Sequence, residues 1–344
     1  MAKNIAVLGT GAIGSSIGAD LTRAGHNVVL IDQWPAHVEA MKAHGVRVTI
    51  KQQEFVTPVR VFHLAEMKDL ERCARQPPLD IVFLAVKSYD TCWMAEFIKP
   101  YLKPDGVLVS VQNSLNDEWI APIIGRERDI ACAFELSAEV FEPGLVKRNT
   151  DHAGTNFVLG ELDGTITPRL REVAQILGAV GNIEISTNIW GAKWSKLVYN
   201  TMGSTVRAAL DASQQVILEN PLVLGLCCKL GRETAQVGSA LGYKLEPIFG
   251  LKAEDFLGLS DEVFQKLILK VFSLVGRGAR TMVQQDIMKG RLTEIEYLNG
   301  LVVKKGREAK VPTPASEALT FVLKQIEQGK LKPGLSNLEL LPTS

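Results

Sequence analysis

The chain has 344 residues, which is more than one hydrophobic core usually accommodates, so we expect two domains. Its 38 lysines and arginines balance its 38 aspartates and glutamates, and a neutral chain has no broad electrostatic attraction to nucleic acid or to anionic membranes. No run reaches the roughly 18 uninterrupted apolar residues that a membrane span requires.

The first half of the chain alternates strand and helix signals. Near-continuous apolar runs predict buried strands, and apolar residues at helical spacing predict the helices between them. In chain order we predict a strand at 4–8, a helix at 12–24, a strand at 28–31, a helix at 36–44, a small β excursion at 46–50 and 55–62, a strand at 80–86, a helix at 91–101, a turn at 104–106 and a strand at 107–111. Buried strands separated by helices indicate a parallel sheet covered on both faces.

The pattern changes near residue 186, where β-rich sequence gives way to helical periodicity. We predict an α/β Rossmann domain at 1–185, doubly wound with a mostly parallel sheet. An all-α domain at 186–330 would carry substrate binding and catalysis, and 331–344 would be a tail without a clear element. The predicted helical segments are 188–212, 219–241, 260–286, 291–308 and 314–328.

A glycine-rich segment joins the first predicted strand to the first predicted helix. It matches the pattern G-x-G-x-x-G, and this position in a strand-helix-strand unit is typical of a dinucleotide-binding loop. Glycine allows the tight turn, the close approach of a pyrophosphate and the packing of helix on strand, while the helix N-terminus attracts phosphate. The predicted cofactor-binding residues here are Gly9, Thr10, Gly11, Ala12, Ile13 and Gly14.

Asp32 ends the second predicted strand, about 20 residues beyond the glycines. An acid at this position bonds the ribose 2′-hydroxyl and repels a 2′-phosphate, so Asp32 favours NAD(H) over NADP(H), although NADP(H) stays open. The alternative is that Asp32 only caps the helix that begins near Ala36.

Polar residues follow the next two buried strands directly. Lys87 comes after one strand, and Gln112 and Asn113 come after the other. Because the carboxyl ends of parallel strands share one edge of the sheet, all three side chains could reach cofactor or substrate. The alternatives are a solvated surface lysine and a pair of turn-forming amides.

Two constellations stand out in the helical half. Lys196 and Asn200 are four residues apart on an otherwise apolar helix, so they share a face. Further on, Glu294 and Glu296 are two residues apart and cannot share a face, so one would look into a cleft and the other into solvent. For Lys196 alone, an ordinary surface lysine is the competing interpretation.

At this point the chain resembles the ketopantoate reductase (2-dehydropantoate 2-reductase) family over nearly its whole length. The resemblance is carried by the glycine loop, Lys87, Gln112-Asn113, the run from Trp194 to Asn200, Gln285-Asp286, the run from Thr293 to Gly300 and Val311-Pro312-Thr313-Pro314. It implies reduction of the ketone of a 2-keto acid by a nicotinamide, as in pantothenate biosynthesis.

The resemblance also implies roles for individual residues. Lys196 would be the general acid on the carbonyl oxygen, and Glu294 would hold the substrate hydroxyl. Asn113 and Asn200 would bond substrate or cofactor, and Lys87 would lie by the cofactor. Hydride attack builds negative charge on oxygen, which an ammonium can stabilise and protonate.

The departures from the family pattern gather where substrate identity should be set. Ser114 replaces the glycine of Gln-Asn-Gly, the arginine that favours NADP is replaced near Asp32, and the family's Pro-Leu-Thr region reads Ser204-Thr205-Val206-Arg207 here. The family's serine ahead of Gln-Asp falls near Thr281, or at Met282 in a shifted register. We predict Ser204, Arg207 and Thr281 as substrate-binding residues, with Arg207 gripping a carboxylate or, alternatively, exposed on a helix.

We expect an enzyme with a small-molecule 2-keto or 2-hydroxy acid substrate and no metal, because no His/Cys/Asp cluster has ligand spacing. Ketopantoate is one candidate, and a related carbonyl or secondary alcohol, or an imine as in opine dehydrogenases, is another. A dinucleotide-binding protein without turnover is the non-enzymatic alternative. Five scattered cysteines and a first strand that begins near the N-terminus predict a cytoplasmic protein. The helical domain could form a homodimer, although no heptad pattern supports it.

Overall fold

A computed structural model describes residues 3–67, 79–247, 260–275 and 278–342 of the chain, with the backbone alone at 274 and 275. The chain divides into two compact units, Met1–Ile189 and Trp190–Ser344. We call them the N-terminal unit and the helical unit.

The N-terminal unit is built on two sheets. The larger has eight strands in the order β12-β11-β8-β7-β6-β1-β2-β5, and the smaller has the order β4-β3-β10-β9. In the larger sheet only the β8–β11 pair is antiparallel. The strands are β1 Asn4–Leu8, β2 Asn27–Asp32, β3 Val46–Ile50, β4 Gln53–Thr57, β5 Arg60–His63, β6 Leu79–Leu84, β7 Leu102–Val111, β8 Asp129–Glu135, β9 Ala138–Glu142, β10 Leu145–Arg148, β11 Asn156–Glu161 and β12 Asn182–Ile185.

The order of the central strands determines where a ligand can bind. The chain passes from β1 to β2 on one side and later returns to place β6 on the other side of β1. This reversal creates a crevice outside the carboxyl ends of β1 and β6, the usual ligand site of an open parallel sheet. The predicted loop Gly9 to Gly14 follows β1 at this edge.

Helices cover both faces of the larger sheet. Alternate residues of β1 enter two different cores: Ile5 and Val7 pack in one, and Ala6 and Leu8 in the other. The first core also takes residues of α1, α2 and α5, and the second takes residues of α3 and α4, so the sheet is doubly wound as predicted. These helices are α1 Ala12–Arg23, α2 Pro35–His44, α3 Thr91–Ile98, α4 Asp117–Ile124 and α5 Pro168–Leu177.

After β12 the described chain contains helices and connecting segments but no strand, which confirms the predicted all-α second half. The helices are α6 Ile189–Tyr199, α7 Thr205–Leu210, α8 Gln214–Glu219, α9 Pro221–Ala240, α10 Asp261–Val275, α11 Met282–Met288, α12 Asn299–Ala309 and α13 Pro314–Glu327. In the parts of the chain that the structure describes, no helix is both long and apolar enough to cross a bilayer.

Several predicted helices are interrupted in the structure, and each interruption has a local cause. The segment predicted at 260–286 forms two helices, with 276 and 277 lying outside the described residues. Between the helices Gly278 has φ +85°, and the side chain of Thr281 caps α11. Pro221, whose ring removes an N–H donor, opens α9 behind an Asn220 cap. The segment predicted at 291–308 becomes α-helical only at Asn299, after a 3-10 turn.

Three other predictions differ in detail. The turn predicted at 104–106 is wrong, because these residues lie within β7 Leu102–Val111. The strand predicted at 55–62 is two strands, β4 and β5, separated at Pro58, which cannot donate to a ladder. The segment after 331, where we predicted no element, contains the 3-10 helix Leu335–Leu340. Gly334 N and Asn337 Nδ2 both donate to the carbonyl oxygen of Ala209, at 3.2 and 2.9 Å, so the chain end is hydrogen-bonded to α7 of its own unit.

Candidate functional site

Each glycine of the predicted loop has a distinct geometric reason. Gly9 has φ +89°, and a Cβ there would lie 2.5 Å from Cγ1 of Val86, just beyond β6. A Cβ on Gly14 would lie 2.0 Å from the carbonyl oxygen of Gly9. A Cβ on Gly11 would meet no atom within 4 Å, so the loop forms an open cradle above this residue. This arrangement has the shape that a pyrophosphate-binding turn requires.

Asp32 lies against the glycine loop at the end of β2. Its Oδ2 accepts hydrogen bonds from the main-chain N–H of Thr10 and, at 2.9 Å, from the Thr10 hydroxyl. Its Oδ1 accepts the N–H of Trp34 at 2.8 Å. The N-cap of α2 is Trp34, without a side-chain cap, so Asp32 does not cap that helix. The carboxylate instead holds Thr10 of the predicted cofactor-binding loop and the main chain of Trp34.

A buried histidine, which no sequence pattern indicated, also contacts the loop. His37 Nε2 lies 2.8 Å from the carbonyl oxygen of Thr10, and Gly144 N donates to His37 Nδ1 at 2.8 Å. These two partners of His37 are distant in the sequence: Thr10 lies 27 positions away and Gly144 lies 107 positions away. No local spacing pattern could have identified it.

The carboxyl ends of β6 and β7 share a polar network. Gln112 Nε2 donates to the carbonyl oxygen of Val86 at 2.9 Å and to Oγ1 of Thr91 at 2.8 Å. Asn116, which sequence reasoning missed, donates to the carbonyl oxygen of Asn113 at 2.6 Å. Lys87 lies at the same edge and is half-buried, directly before a 3-10 turn. The structure thus brings the residues predicted after these two strands to one edge of the sheet.

The backbone after Asn113 explains why the family prefers glycine there. Ser114 is buried and has φ +74°, the left-handed region in which a side chain costs roughly 1–2 kcal/mol. Residues kept in such conformations tend to cluster at functional sites. Ser114 therefore adds backbone strain beside a predicted substrate-binding residue.

These residues fit a dinucleotide. The open cradle above Gly11 suits a pyrophosphate, and Gln112 Oε1 is a buried acceptor with no hydrogen-bond partner among the described residues. Such an acceptor matches a donor on a bound ligand. Among the described residues, no group of three or more His, Cys, Asp or Glu side chains could hold a metal ion.

In the helical unit, Lys196 is half-buried on α6, whose neighbouring side chains are buried. Its Nζ lies 5.5 Å from the ring centroid of Tyr199, within the range of a cation–π contact. Burial raises the pKa of Tyr199 to about 12, so the phenol beneath the ammonium stays neutral at physiological pH. Lys196 therefore has an apolar, uncharged support on its own helix.

Directly after Tyr199 the helix changes its winding. Asn200–Ser204 form a π-helical segment, and α7 continues from Thr205. All five residues of the π segment are buried, including the predicted Asn200 and Ser204. Single π turns inside α-helices occur frequently at functional sites, and nothing in the 3.6-residue periodicity signalled this one.

The structure brings Thr281 to the π segment and gives Arg207 main-chain partners. Thr281 Oγ1 donates to the carbonyl oxygen of Ser204 at 3.2 Å. The Arg207 side chain is buried: Nη2 donates to the carbonyl oxygen of Ala279 at 2.9 Å, and Nε donates to that of Ala212 at 3.3 Å. Burial lowers the pKa of the Arg207 guanidinium. The alternative that Arg207 is an exposed helix arginine is wrong.

Glu294 is buried and Glu296 is exposed, as their spacing predicted. The segment that carries them is attached to α13 at two points. Thr293 N donates to Glu327 Oε1 at 2.7 Å, and Glu296 pairs with Lys324. Glu294 itself lies just before the 3-10 turn Ile295–Tyr297, and its carbonyl oxygen accepts the N–H of Tyr297 at 2.9 Å.

Family models match two segments that together make up most of the chain. Ketopantoate reductase PanE/ApbA matches residues 5–164, and its C-terminal counterpart matches residues 188–327. The chain belongs to the ketopantoate reductase family. Membership confirms the resemblance drawn from the glycine loop and from the runs around Lys196 and Glu294, and the fold agrees with it.

Individual relatives of the ketopantoate reductase family match from end to end. The 2-dehydropantoate 2-reductase of Archaeoglobus fulgidus is 26% identical over 332 residues, which is 95% of this chain and 99% of that protein. The 2-dehydropantoate 2-reductase of Aquifex aeolicus is 28% identical over 338 residues, covering 96% and 99%. The chain is therefore an oxidoreductase that acts on CH–OH groups with a nicotinamide dinucleotide.

Solved structures share the ketopantoate reductase fold. The ketopantoate reductase of Ralstonia eutropha superposes with a TM-score of 0.78 at 26% identity, covering 95% of this chain and 99% of that one. D-mandelate dehydrogenase, solved with NADH and anilino(oxo)acetate, superposes with a TM-score of 0.80 at 23% identity, with the same coverage. At this identity the second likeness concerns the fold alone.

Proposed function

We propose that the protein is a nicotinamide-dependent reductase of a 2-keto acid, with Lys196 as the general acid. The observation that carries the proposal is the setting of Lys196, an ammonium held half-buried on a buried helix and one turn before Asn200. A charged group kept in such a place needs a function that offsets the cost of its partial desolvation.

The chemistry follows from the charge that the reaction creates. When bound, the reduced nicotinamide supplies the hydride. Hydride addition to the ketone leaves negative charge on the carbonyl oxygen, and Lys196 Nζ donates the proton that neutralises it. One charge-assisted donor of this kind lowers the barrier by roughly 3–4 kcal/mol.

The other residues of the helical unit hold the substrate in our proposal. Glu294 accepts a hydrogen bond from the substrate hydroxyl, and Asn200, Ser204 and Thr281 offer amide and hydroxyl groups. For Arg207 we propose an indirect role, because its guanidinium donates to the carbonyl oxygens of Ala212 and Ala279. Arg207 thereby helps to hold the segment that leads into Thr281, two residues after Ala279.

In the N-terminal unit we propose that the loop from Gly9 to Gly14, Lys87, Gln112 and Asn113 bind the cofactor, Asn113 also contacting substrate. We propose a preference for NAD(H), because the Asp32 carboxylate at the end of β2 repels a 2′-phosphate. The relative solved with NADH is consistent with that choice.

The substrate class that we propose is a 2-keto acid. Ketopantoate is the first candidate, because the full-length relatives are 2-dehydropantoate 2-reductases. A bulkier 2-keto acid is the second, because Ser114, Ser204 and Arg207 depart from the family pattern; benzoylformate, the keto acid related to mandelate, tests it. The same preparations can test the two alternatives, which are an imine substrate and binding without turnover. They can also test the predicted homodimer.

The test is the oxidation of NADH and NADPH, followed at 340 nm with a panel of 2-keto acids, with and without an amine co-substrate. For the wild type we expect turnover with at least one 2-keto acid and no requirement for the amine. Lys196→Ala should lose at least 100-fold in kcat while its affinity for NADH stays within about twofold. Lys304→Ala, at an exposed lysine of α12, is the matched control.

Two results would contradict the proposal in different ways. If Lys196→Ala kept a near-normal kcat, the proton would come from another group. If NADH bound tightly but no member of the panel was reduced, turnover-free binding would replace the enzymatic proposal.

A further inference from the structure

The residue of interest is His37, which is not part of the motifs that carry the resemblance to the family. His37 is fully buried in the first turns of α2, and its ring has partners on three sides. Nε2 lies 2.8 Å from the carbonyl oxygen of Thr10 and 3.2 Å from Oγ of Ser15. Nδ1 lies 2.8 Å from the main-chain nitrogen of Gly144, in the turn between β9 and β10.

These partners assign the proton on the ring. A main-chain N–H can only donate, so Nδ1 of His37 accepts from Gly144 and carries no hydrogen. The proton of the neutral imidazole is therefore on Nε2, where it is donated to the carbonyl oxygen of Thr10. Protonation of Nδ1 would place two donors against each other, so this arrangement requires the neutral ring.

The contact between His37 and Thr10 sets the orientation of a peptide group. Thr10 C=O and Gly11 N–H belong to the same planar trans peptide and point in opposite directions. The Thr10 carbonyl oxygen is held inside the protein by His37 Nε2 and by the Ser15 hydroxyl, which donates to it at 2.6 Å, so the N–H of Gly11 turns outward, and Gly11 is exposed. Asp32 holds the preceding peptide through Thr10 N, so the two side chains together set both peptides around Thr10.

The same ring supports the segment after β2. The indole of Trp34 stacks on His37 with ring centroids 5.1 Å apart and planes within 12°. Trp34 N in turn donates to Asp32. His37 thus lies beneath the two pieces of chain that, in this fold, receive the pyrophosphate and the adenosine ribose.

We propose that neutral His37 is a positioning residue for the adenosine diphosphate half of the cofactor. This inference rests on the proposed use of a nicotinamide dinucleotide. His37 touches neither the cofactor nor the substrate: it holds Thr10 and Trp34, and through them it directs the Gly11 N–H and the loop after β2. Its loss should weaken cofactor binding and leave the chemical step alone.

The experiment compares two substitutions. His37→Leu removes both ring nitrogens, whereas His37→Gln places an amide N–H donor the same number of bonds from the main chain as Nε2 and does not titrate. His44→Leu, at an exposed histidine at the end of α2, is the control. Each protein is titrated with NADH by fluorescence, hydrogen exchange of the Gly11 amide is measured without NADH, and kcat and KM are determined with the best keto acid.

For His37→Leu we expect the Kd for NADH to rise about 10-fold, with faster Gly11 exchange and an unchanged kcat at saturating NADH. The KM for the keto acid should also stay the same. His37→Gln should recover most of the NADH affinity, to within about threefold of wild type. A general loss of structure would lower kcat and raise both KM values together, and glutamine would not rescue it.

If His37→Leu bound NADH and exchanged its Gly11 amide as the wild type does, this inference would be wrong and the proposed function would stay intact. A loss of kcat that glutamine does not restore would also overturn this inference. If the wild type bound neither NADH nor NADPH, the proposed function and this inference would fall together, whereas binding of NADH without turnover would overturn the proposed function alone.

Discussion

At the scale of single residues, we expect the Asp32 carboxylate both to select the cofactor and to hold the glycine loop in shape. Its position after β2 predicts a contact with the ribose, and its hydrogen bonds to Thr10 and Trp34 also hold the loop in shape. Each carboxylate oxygen has more than one acceptor site, so the two functions are compatible. Removing Asp32 should therefore affect both.

For Asp32→Ala we expect kcat/KM with NADH to fall at least 10-fold, because the ribose contact and the support of Thr10 disappear together. With NADPH the fall should be smaller, because the charge that repels the 2′-phosphate is also lost. The ratio of the two kcat/KM values, measured from initial rates at 340 nm, should thus move towards NADPH. Asp105→Ala, at an exposed position of β7, is the control, and an unchanged ratio would show that Asp32 does not set selectivity.

At the scale of elements, the end of α12 contains a residue that local geometry disfavours. Lys310 has φ +58° and ψ +35° at the C-terminus of the helix, and it is exposed. Val311 N donates to the carbonyl oxygen of Gly306 at 2.8 Å, which completes a Schellman motif. Glycine is the usual residue at this left-handed position because it has no Cβ.

Lys310→Gly should accordingly raise the free energy of unfolding by about 1 kcal/mol. The measurement is the denaturation midpoint of the helical unit, followed by circular dichroism. Lys310→Ala separates the effect of conformation from that of charge, because alanine keeps the Cβ and should bring little gain. Equal stabilisation by glycine and alanine would mean that left-handed strain is not the cause.

At the scale of the whole molecule, the glycine loop links ligand binding to stability. A ligand that binds only the folded state stabilises it by mass action, about 2.7 kcal/mol at one hundred times its Kd. For a unit of this size that corresponds to a rise in Tm of roughly 5–10 °C. We expect NADH to produce this shift in thermal unfolding.

NADPH at the same concentration should give a smaller shift, and AMP alone should give a partial one, since the predicted contacts of the N-terminal unit lie mainly with the adenosine half. Absence of a shift with either reduced cofactor, at concentrations far above any plausible Kd, would contradict the cofactor class.

The parts of the fold that were predictable depend on local patterns. Positions 5–8 of β1 and 81–84 of β6 are uninterrupted apolar runs because both faces of the sheet are covered, and the glycine loop between strand and helix has a fixed spacing. That one of Glu294 and Glu296 is buried and the other exposed followed from their separation by two residues. Each of these features is encoded within about ten consecutive positions.

The remaining features depend on contacts between distant parts of the chain. His37 reaches Gly144 across 107 positions, and the Thr281 hydroxyl meets the carbonyl oxygen of Ser204 across 77. The residues next to Arg207 in the sequence do not indicate that its partners are the carbonyl oxygens of Ala212 and Ala279. Helical periodicity predicted that 188–212 would be helical, but a π segment of five residues is too short to change the periodicity of the whole stretch.

The π winding at Asn200–Ser204 has a consequence for how relatives are compared. A π turn holds one residue more than the α turn it interrupts, and each residue advances a helix by about 100°. Deleting one position there would restore an α turn, so the helix after it, Arg207 included, would keep its bearing and only the groups presented by the π segment would change. An alignment gap in this stretch therefore marks a local change in the buried surface of the π segment, and a comparison of relatives has to place the gap there for the residues on both sides to correspond.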